Sequence, residues 1–146
     1  MQTDSQIKIP FKMTTAFKQV MIIDDNAVDL YIASRTITSN RFASHVIECR
    51  GAAEALEYLA YHSHDADKLP QVIFVDIYMP QLSGFDFIEG YAQLPERLRT
   101  GRTLYMLSSS IDDLDIHRSQ ADEHVGVFLV KPITRAVLER IADGSV

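Results

Sequence analysis

Asp24 and Asp25 follow the apolar run VMII, Asp76 follows QVIFV, and Lys131-Pro132 follow VFLV. Three carboxylates and one ammonium, if gathered, make a site for a phosphate and a hard cation. Carboxylates crowded together repel, and like charges at short range raise at least one pKa. A divalent cation relieves that repulsion. Magnesium suits the set because it takes oxygen ligands and is held by one or two carboxylates plus a substrate phosphate. An aspartate in such a place is itself a nucleophile, able to form an aspartyl phosphate. Ser108, after the run LYML, adds a hydroxyl, with Ser109 and Ser110 as neighbours that could take its place. Loose phosphoryl-transfer transition states carry charge on their equatorial oxygens, so a hydroxyl and an ammonium act there by position and charge.

These groups can meet only if one sheet brings them to the same edge. Short apolar runs bounded by polar residues read as buried strands, which predicts strands at Val20–Asp24, His45–Cys49, Val72–Asp76, Leu104–Leu107 and Val127–Val130. Ala52, Ala55, Leu56, Leu59 and Ala60 have helical spacing, as do Phe87, Ile88 and Tyr91, and Val137, Leu138 and Ile141. Asn26–Ser39 and Ser110–Gln120 are less regular helical segments, with Asn26 and Ser110 as candidate N-caps. Strands alternating with helices imply βαβ units and a parallel sheet, and right-handed crossovers put helices on both of its faces. The fold class is therefore a three-layer α/β domain of five units. Ligands of such sheets bind at the carboxyl ends of the strands, where every charged residue named above falls.

Local capping competes with chemistry at each position. Asp24 and Asp25 alone could merely cap the helix that follows. Asp76 tips the balance, because Pro80 turns the chain just after the strand and Gly84 follows where a backbone without a Cβ is useful.

At 146 residues the chain has the length of one domain, with 47% hydrophobic and 23% charged residues, a soluble globular composition. A net charge of -6 without any basic block argues against nucleic-acid binding. Cys49 is the only cysteine, so an internal disulfide and a cysteine zinc cage are excluded, and a structural thiol is expected. No stretch approaches the ~20 apolar residues of a membrane span, and the N-terminus lacks the apolar core of a secretory signal. No membrane association and a cytoplasmic location are the expectations. Residues 1–17 are expected to be a polar extension and 144–146 a tail, with 18–143 as the folded domain and no effector domain attached. His62, His64, Asp65 and Asp67 depart from hydrolase metal spacing and read as a solvated loop.

Taken in order, Asp24-Asp25, Asp76 with Met79-Pro80 and Gly84, Ser108 and Lys131-Pro132 resemble the receiver domain of bacterial two-component response regulators, of the stand-alone type. The resemblance covers about residues 20–141. It implies the flavodoxin-like strand order 2-1-3-4-5. It further implies Asp76 as phosphoacceptor, and Mg²⁺ held by Asp25 and Asp76, by Asp24 through water, and by the main-chain carbonyl of Tyr78. Ser108 would hold a phosphoryl oxygen and Lys131 would pair with the phosphoryl group, while the Lys131–Pro132 bond resembles the family's cis peptide. Phe128 stands where the family has a switching aromatic. Phosphoryl oxygens would draw Ser108 inward, Phe128 would turn, and the face made by the fourth helical segment, fifth strand and fifth helix would change. The donor would be a sensor histidine kinase or a histidine phosphotransfer protein, and the output a contact with a downstream protein. Such a chain is a stoichiometric switch and not a turnover enzyme. Tyr78 and Ser109 are bulkier than the family's common residues and are expected to shield the acyl phosphate.

Two rivals differ in class. A haloacid-dehalogenase-type phosphatase needs a second Asp two residues after the nucleophile, and Tyr78 holds that position. A phosphorylation-independent interaction module on the same fold typically loses members of the acidic cluster, and all are present here.

Overall fold

In the central strands the runs Val20–Ile23, Val72–Val75 and Leu104–Leu107 are apolar throughout, and alternate residues belong to opposite faces. The computed structural model, which describes residues 15–110 and 125–146, shows where each set goes. Val20, Ile22, Val72, Phe74, Tyr105 and Leu107 pack with Leu30, Ile37, Leu138 and Ile141 on one face. Met21, Ile23, Ile73, Val75 and Met106 pack with Ala55, Leu59, Phe87, Ile88 and Tyr91 on the other. Both faces are covered, which is why the strands read as continuous apolar runs and not as alternating ones.

The strands are β1 (Phe17–Ile23), β2 (Ala43–Cys49), β3 (Val72–Asp76), β4 (Thr103–Ser108) and β5 (Val125–Val130). Among the described residues the helices are α1 (Ala27–Ser39), α2 (Ala52–Tyr61), α3 (Gly84–Ala92), the single turn α4 (Glu96–Arg99) and α5 (Arg135–Ala142). The strands form one sheet in the order β2-β1-β3-β4-β5, and every neighbouring pair is parallel. This is the predicted 2-1-3-4-5 order, and all five predicted strands are present. β1 starts earlier than its apolar run, at Phe17, because that residue's N–H donates to the Phe42 carbonyl and its ring lies 5.1 Å from the Phe42 ring.

Asn26 caps α1, its side chain accepting from the N–H groups of Val28 and Asp29. Ser83 and Asp86 close a capping box on α3, and Thr134 caps α5. The one-turn α4 follows Pro95 and buries Leu98. The expected helix Ser110–Gln120 lies outside the described residues from residue 111 onward. Among the described residues, no helix is long and apolar enough to cross a membrane.

Cys49 is buried at the end of β2, and burial, with the Glu54 carboxylate adding, pushes its thiol up to about 12. It is a packed thiol, inert as a nucleophile. The His62–Asp67 stretch ends α2 and turns into β3 through a 3₁₀ turn, where Asp67 pairs with Lys18 at 2.7 Å.

Candidate functional site

Strand register sets the site. Ile23 is level with Val75, so Asp24 and Asp76 leave adjacent strands at the same height. Asp76 is level with Leu107 and Ser108 with Val130, so Ser108 and Lys131 continue the row. The Lys131 N–H donates to the Ser108 carbonyl at 2.7 Å, and the Lys131–Pro132 peptide is cis.

Oxygen atoms of Asp24, Asp25 and Asp76 all lie within 4.8 Å of one another, the one such acidic group among the described residues. Ligands on opposite sides of magnesium, at about 2.1 Å each, stand up to ~4.2 Å apart. The cluster is close to that span and could hold such an ion.

Asp24 is buried and fully engaged. Its Oδ1 accepts from the Asn26 N–H at 2.9 Å and its Oδ2 from Lys131 Nζ at 2.9 Å. Lys131 Nζ also donates to Asp29 Oδ2 at 3.0 Å and stands 3.6 Å from Asp76 Oδ2. Burial of Lys131 pulls its pKa down. Hydrogen bonds to Asp24 and Asp29 and the nearby charge of Asp76 outweigh that, holding the ammonium above the ordinary lysine value. Burial pushes Asp76 up to about 6; Lys131 opposes the shift, Asp24 adds to it, and the Tyr78 N–H, donating to Oδ1 at 3.3 Å, opposes it.

The turn after β3 is built for close approach. A Cβ on Gly84 would stand 2.6 Å from the Asp76 carbonyl oxygen, so α3 can start there only on a glycine. Gln81 has φ 69, a left-handed conformation that tightens the turn after Pro80. The Tyr78 ring is half exposed at the rim.

Ser108 is fully buried at the end of β4, where its hydroxyl donates to the Ser110 carbonyl at 3.1 Å and accepts from the Ser110 N–H at 3.3 Å. Phe128 is buried against Met106 and the α2–α3 side of the core, as its ring's apolarity requires.

Two residues at the site were not anticipated. Asp29 pairs with a lysine 102 positions away, a contact no local spacing encodes. Arg50, just past β2, donates from Nη2 to the Asp25 carbonyl at 3.2 Å and fastens the β1–α1 loop. A charge directly after a predicted strand was the one available signal for Arg50. A cavity of about 260 Å³ opens beside Lys131, walled by Asp24, Asp29, Ile32, Ser109 and Pro132.

Comparisons with known proteins agree with this geometry. A response regulator receiver protein from Dyadobacter fermentans is 32% identical, with a TM-score of 0.70 over 84% of this chain and 96% of that one. A two-component response regulator from Cytophaga hutchinsonii superposes with a TM-score of 0.77 at 23% identity, over 88% of this chain and 96% of that one. The probable methanogenesis regulatory protein FilR2 of Methanothrix harundinacea is 25% identical over 85% of this chain and 78% of its own length. The sequence model of the response regulator receiver domain matches residues 20–143. With that span matched from the first strand to the last helix, the chain belongs to the response regulator receiver domain family of two-component signalling.

Proposed function

We propose that this chain is a phosphoacceptor switch in which Asp76 takes a phosphoryl group from a phosphohistidine on a sensor kinase or a phosphotransfer protein. The observation that carries the reading is the setting of Asp76: a buried carboxylate at the end of a central strand, with an ammonium 3.6 Å away and two further carboxylates within a metal's reach. A pKa of about 6 makes it a more basic nucleophile than an ordinary aspartate, yet still largely ionised at neutral pH. In the transfer an Asp76 oxygen bonds to phosphorus as the P–N bond breaks, and the imidazole leaves with the electron pair and takes a proton from water. Hydrolysis of the acyl phosphate returns the carboxylate and inorganic phosphate, one per cycle.

Asp25 and Asp76 would hold Mg²⁺ directly, with the Tyr78 main-chain carbonyl. Asp24 would contribute through water, a role that suits a carboxylate whose two oxygens already serve Asn26 and Lys131. The bound ion would neutralise the clustered carboxylates and the incoming phosphoryl oxygens. Lys131 would pair with the phosphoryl group and Ser108 would receive one of its oxygens. Exposed Val28, Tyr31 and Ile32 on α1, beside the rim, offer the donor protein an apolar face to lie on. The signal would leave through the segment after Ser110, β5 and α5, to a downstream protein in the cytoplasm.

Incubation with acetyl phosphate and Mg²⁺, read by intact mass, tests the reading. One phosphoryl group per chain is expected, lost in Asp76→Asn and on chelation of the metal. Unlabelled wild type, or label that survives in Asp76→Asn, would overturn it. Sustained release of phosphate from a phosphomonoester would revive the phosphatase rival.

A further inference from the structure

We infer that Asp29 is a positioning residue that holds Lys131 back from Asp76 in the resting protein, and that the lysine must let go of it to engage a phosphoryl group. The inference rests on the phosphoacceptor reading of Asp76 above.

An ammonium has three donors. In Lys131 two of them are spent on Asp24 Oδ2 at 2.9 Å and Asp29 Oδ2 at 3.0 Å, while Asp76 at 3.6 Å is beyond hydrogen-bond reach. The lysine is thus bound to Asp24 and Asp29 and not to Asp76, the carboxylate that would accept the phosphoryl group.

Asp29 is also freed for this task by a departure from ordinary capping. It is the third helical residue of α1, where an acidic side chain normally folds back onto the cap N–H. α3 shows the ordinary arrangement, the Ser83 N–H donating to Asp86 Oδ2 at 2.7 Å. In α1 the equivalent N–H, that of Asn26, is taken by Asp24 Oδ1, and the Asp29 carboxylate turns to the lysine instead.

The two anchors differ in permanence. The Asp24 side chain is 3% exposed and that of Asp29 is 44% exposed. Asp24 is the fixed pivot, and Asp29 is the partner that water can replace. The cavity bounded by Asp24, Asp29 and Lys131 leaves room for the ammonium to swing about that pivot.

A contact made only in the resting state opposes the engaged one, so its removal must favour engagement. The readouts are the affinity for beryllofluoride with Mg²⁺, a phosphoryl mimic, and the rate of labelling by acetyl phosphate. Because ion pairs with a half-exposed partner are weak, Asp29→Asn is expected to raise both by about two- to five-fold. Asp29→Glu should return them toward wild type, and Asp29→Ser should repeat the gain if the asparagine variant folds poorly. The gain should shrink in high salt, where exposed charges are screened. In NMR, the Lys131 ammonium signal of resting Asp29→Asn should move toward its position in beryllofluoride-loaded wild type, which a merely structural change at α1 would not produce. Unchanged or weaker binding in folded Asp29→Asn and Asp29→Ser, with wild type binding normally, overturns the role of Asp29 alone. Wild type that binds no beryllofluoride overturns the phosphoacceptor reading with it.

Discussion

Asp76 keeps its proton longer in the folded protein than in the unfolded chain, where the ordinary value of 3.8 applies, because burial raises it to about 6. Between those values the folded state binds the proton more tightly. Stability from this group is therefore fully present below pH 3.8, is lost as pH rises toward 6, and stays lost above it. Asp76→Asn removes the cost of the buried charge and should stabilise the protein on the order of 1–3 kcal/mol at pH 7.5. The gain should vanish near pH 4. Urea denaturation of both proteins at the two pH values measures it, and an equal gain at both would rule out the raised pKa. Saturating Mg²⁺ should narrow the difference at pH 7.5 by stabilising the wild type. At this scale the sequence disclosed Asp24, Asp25, Asp76 and Lys131, since each is a charge directly after an apolar run. Asp29 carried no such signal, because the lysine that claims it is 102 positions away in the chain.

Elements were legible wherever burial imposes a pattern. β3 has the predicted bounds Val72–Asp76, since both faces of a central strand are covered. α2 follows its i, i+3, i+4 spacing because Ala52, Ala55 and Leu59 are its buried stripe. The start of β1 was hidden, since polar Lys18 and Gln19 break the run, and pairing with Phe42 and Gln71 extends the strand past it. α4 is too short for periodicity to register. Register itself, which brings the four charged groups level, is a property of pairing that no single strand contains. The β3–α3 junction gives the element-scale prediction. Gly84→Ala would set a methyl against the Asp76 carbonyl oxygen, and the helix start must shift or strain. A loss of about 1–3 kcal/mol is expected from such overpacking. Denaturation midpoints of the two proteins measure it, and a variant as stable as wild type would show that the junction yields freely.

The proposed switch would belong to the whole molecule, because Asp76, Ser108 and Phe128 lie on different strands. In the resting structure the Ser108 hydroxyl is held by the Ser110 carbonyl, and the Phe128 ring fills the core beside Met106. A phosphoryl group on Asp76 would offer that hydroxyl a charged acceptor, drawing the end of β4 inward and loosening the contact that fixes the chain after it. A ligand moves such an equilibrium only by binding one state better than the other, and in the proposed mechanism the differential contact would be the hydroxyl-to-phosphoryl bond. Hydrogen bonds to charged groups contribute about 1.5–3 kcal/mol, enough to shift the two populations by roughly ten- to a hundredfold. Ser108→Ala should therefore still take a phosphoryl group at Asp76, where on the proposed reading a metal and Lys131 would do the binding. Its β5 and α5 resonances should move far less than those of wild type when beryllofluoride and Mg²⁺ are added. Full-sized shifts in the alanine variant would mean that the signal reaches β5 by a route that bypasses the hydroxyl, leaving the movement of Lys131 away from Asp29 as the event that couples Asp76 to the rest of the fold.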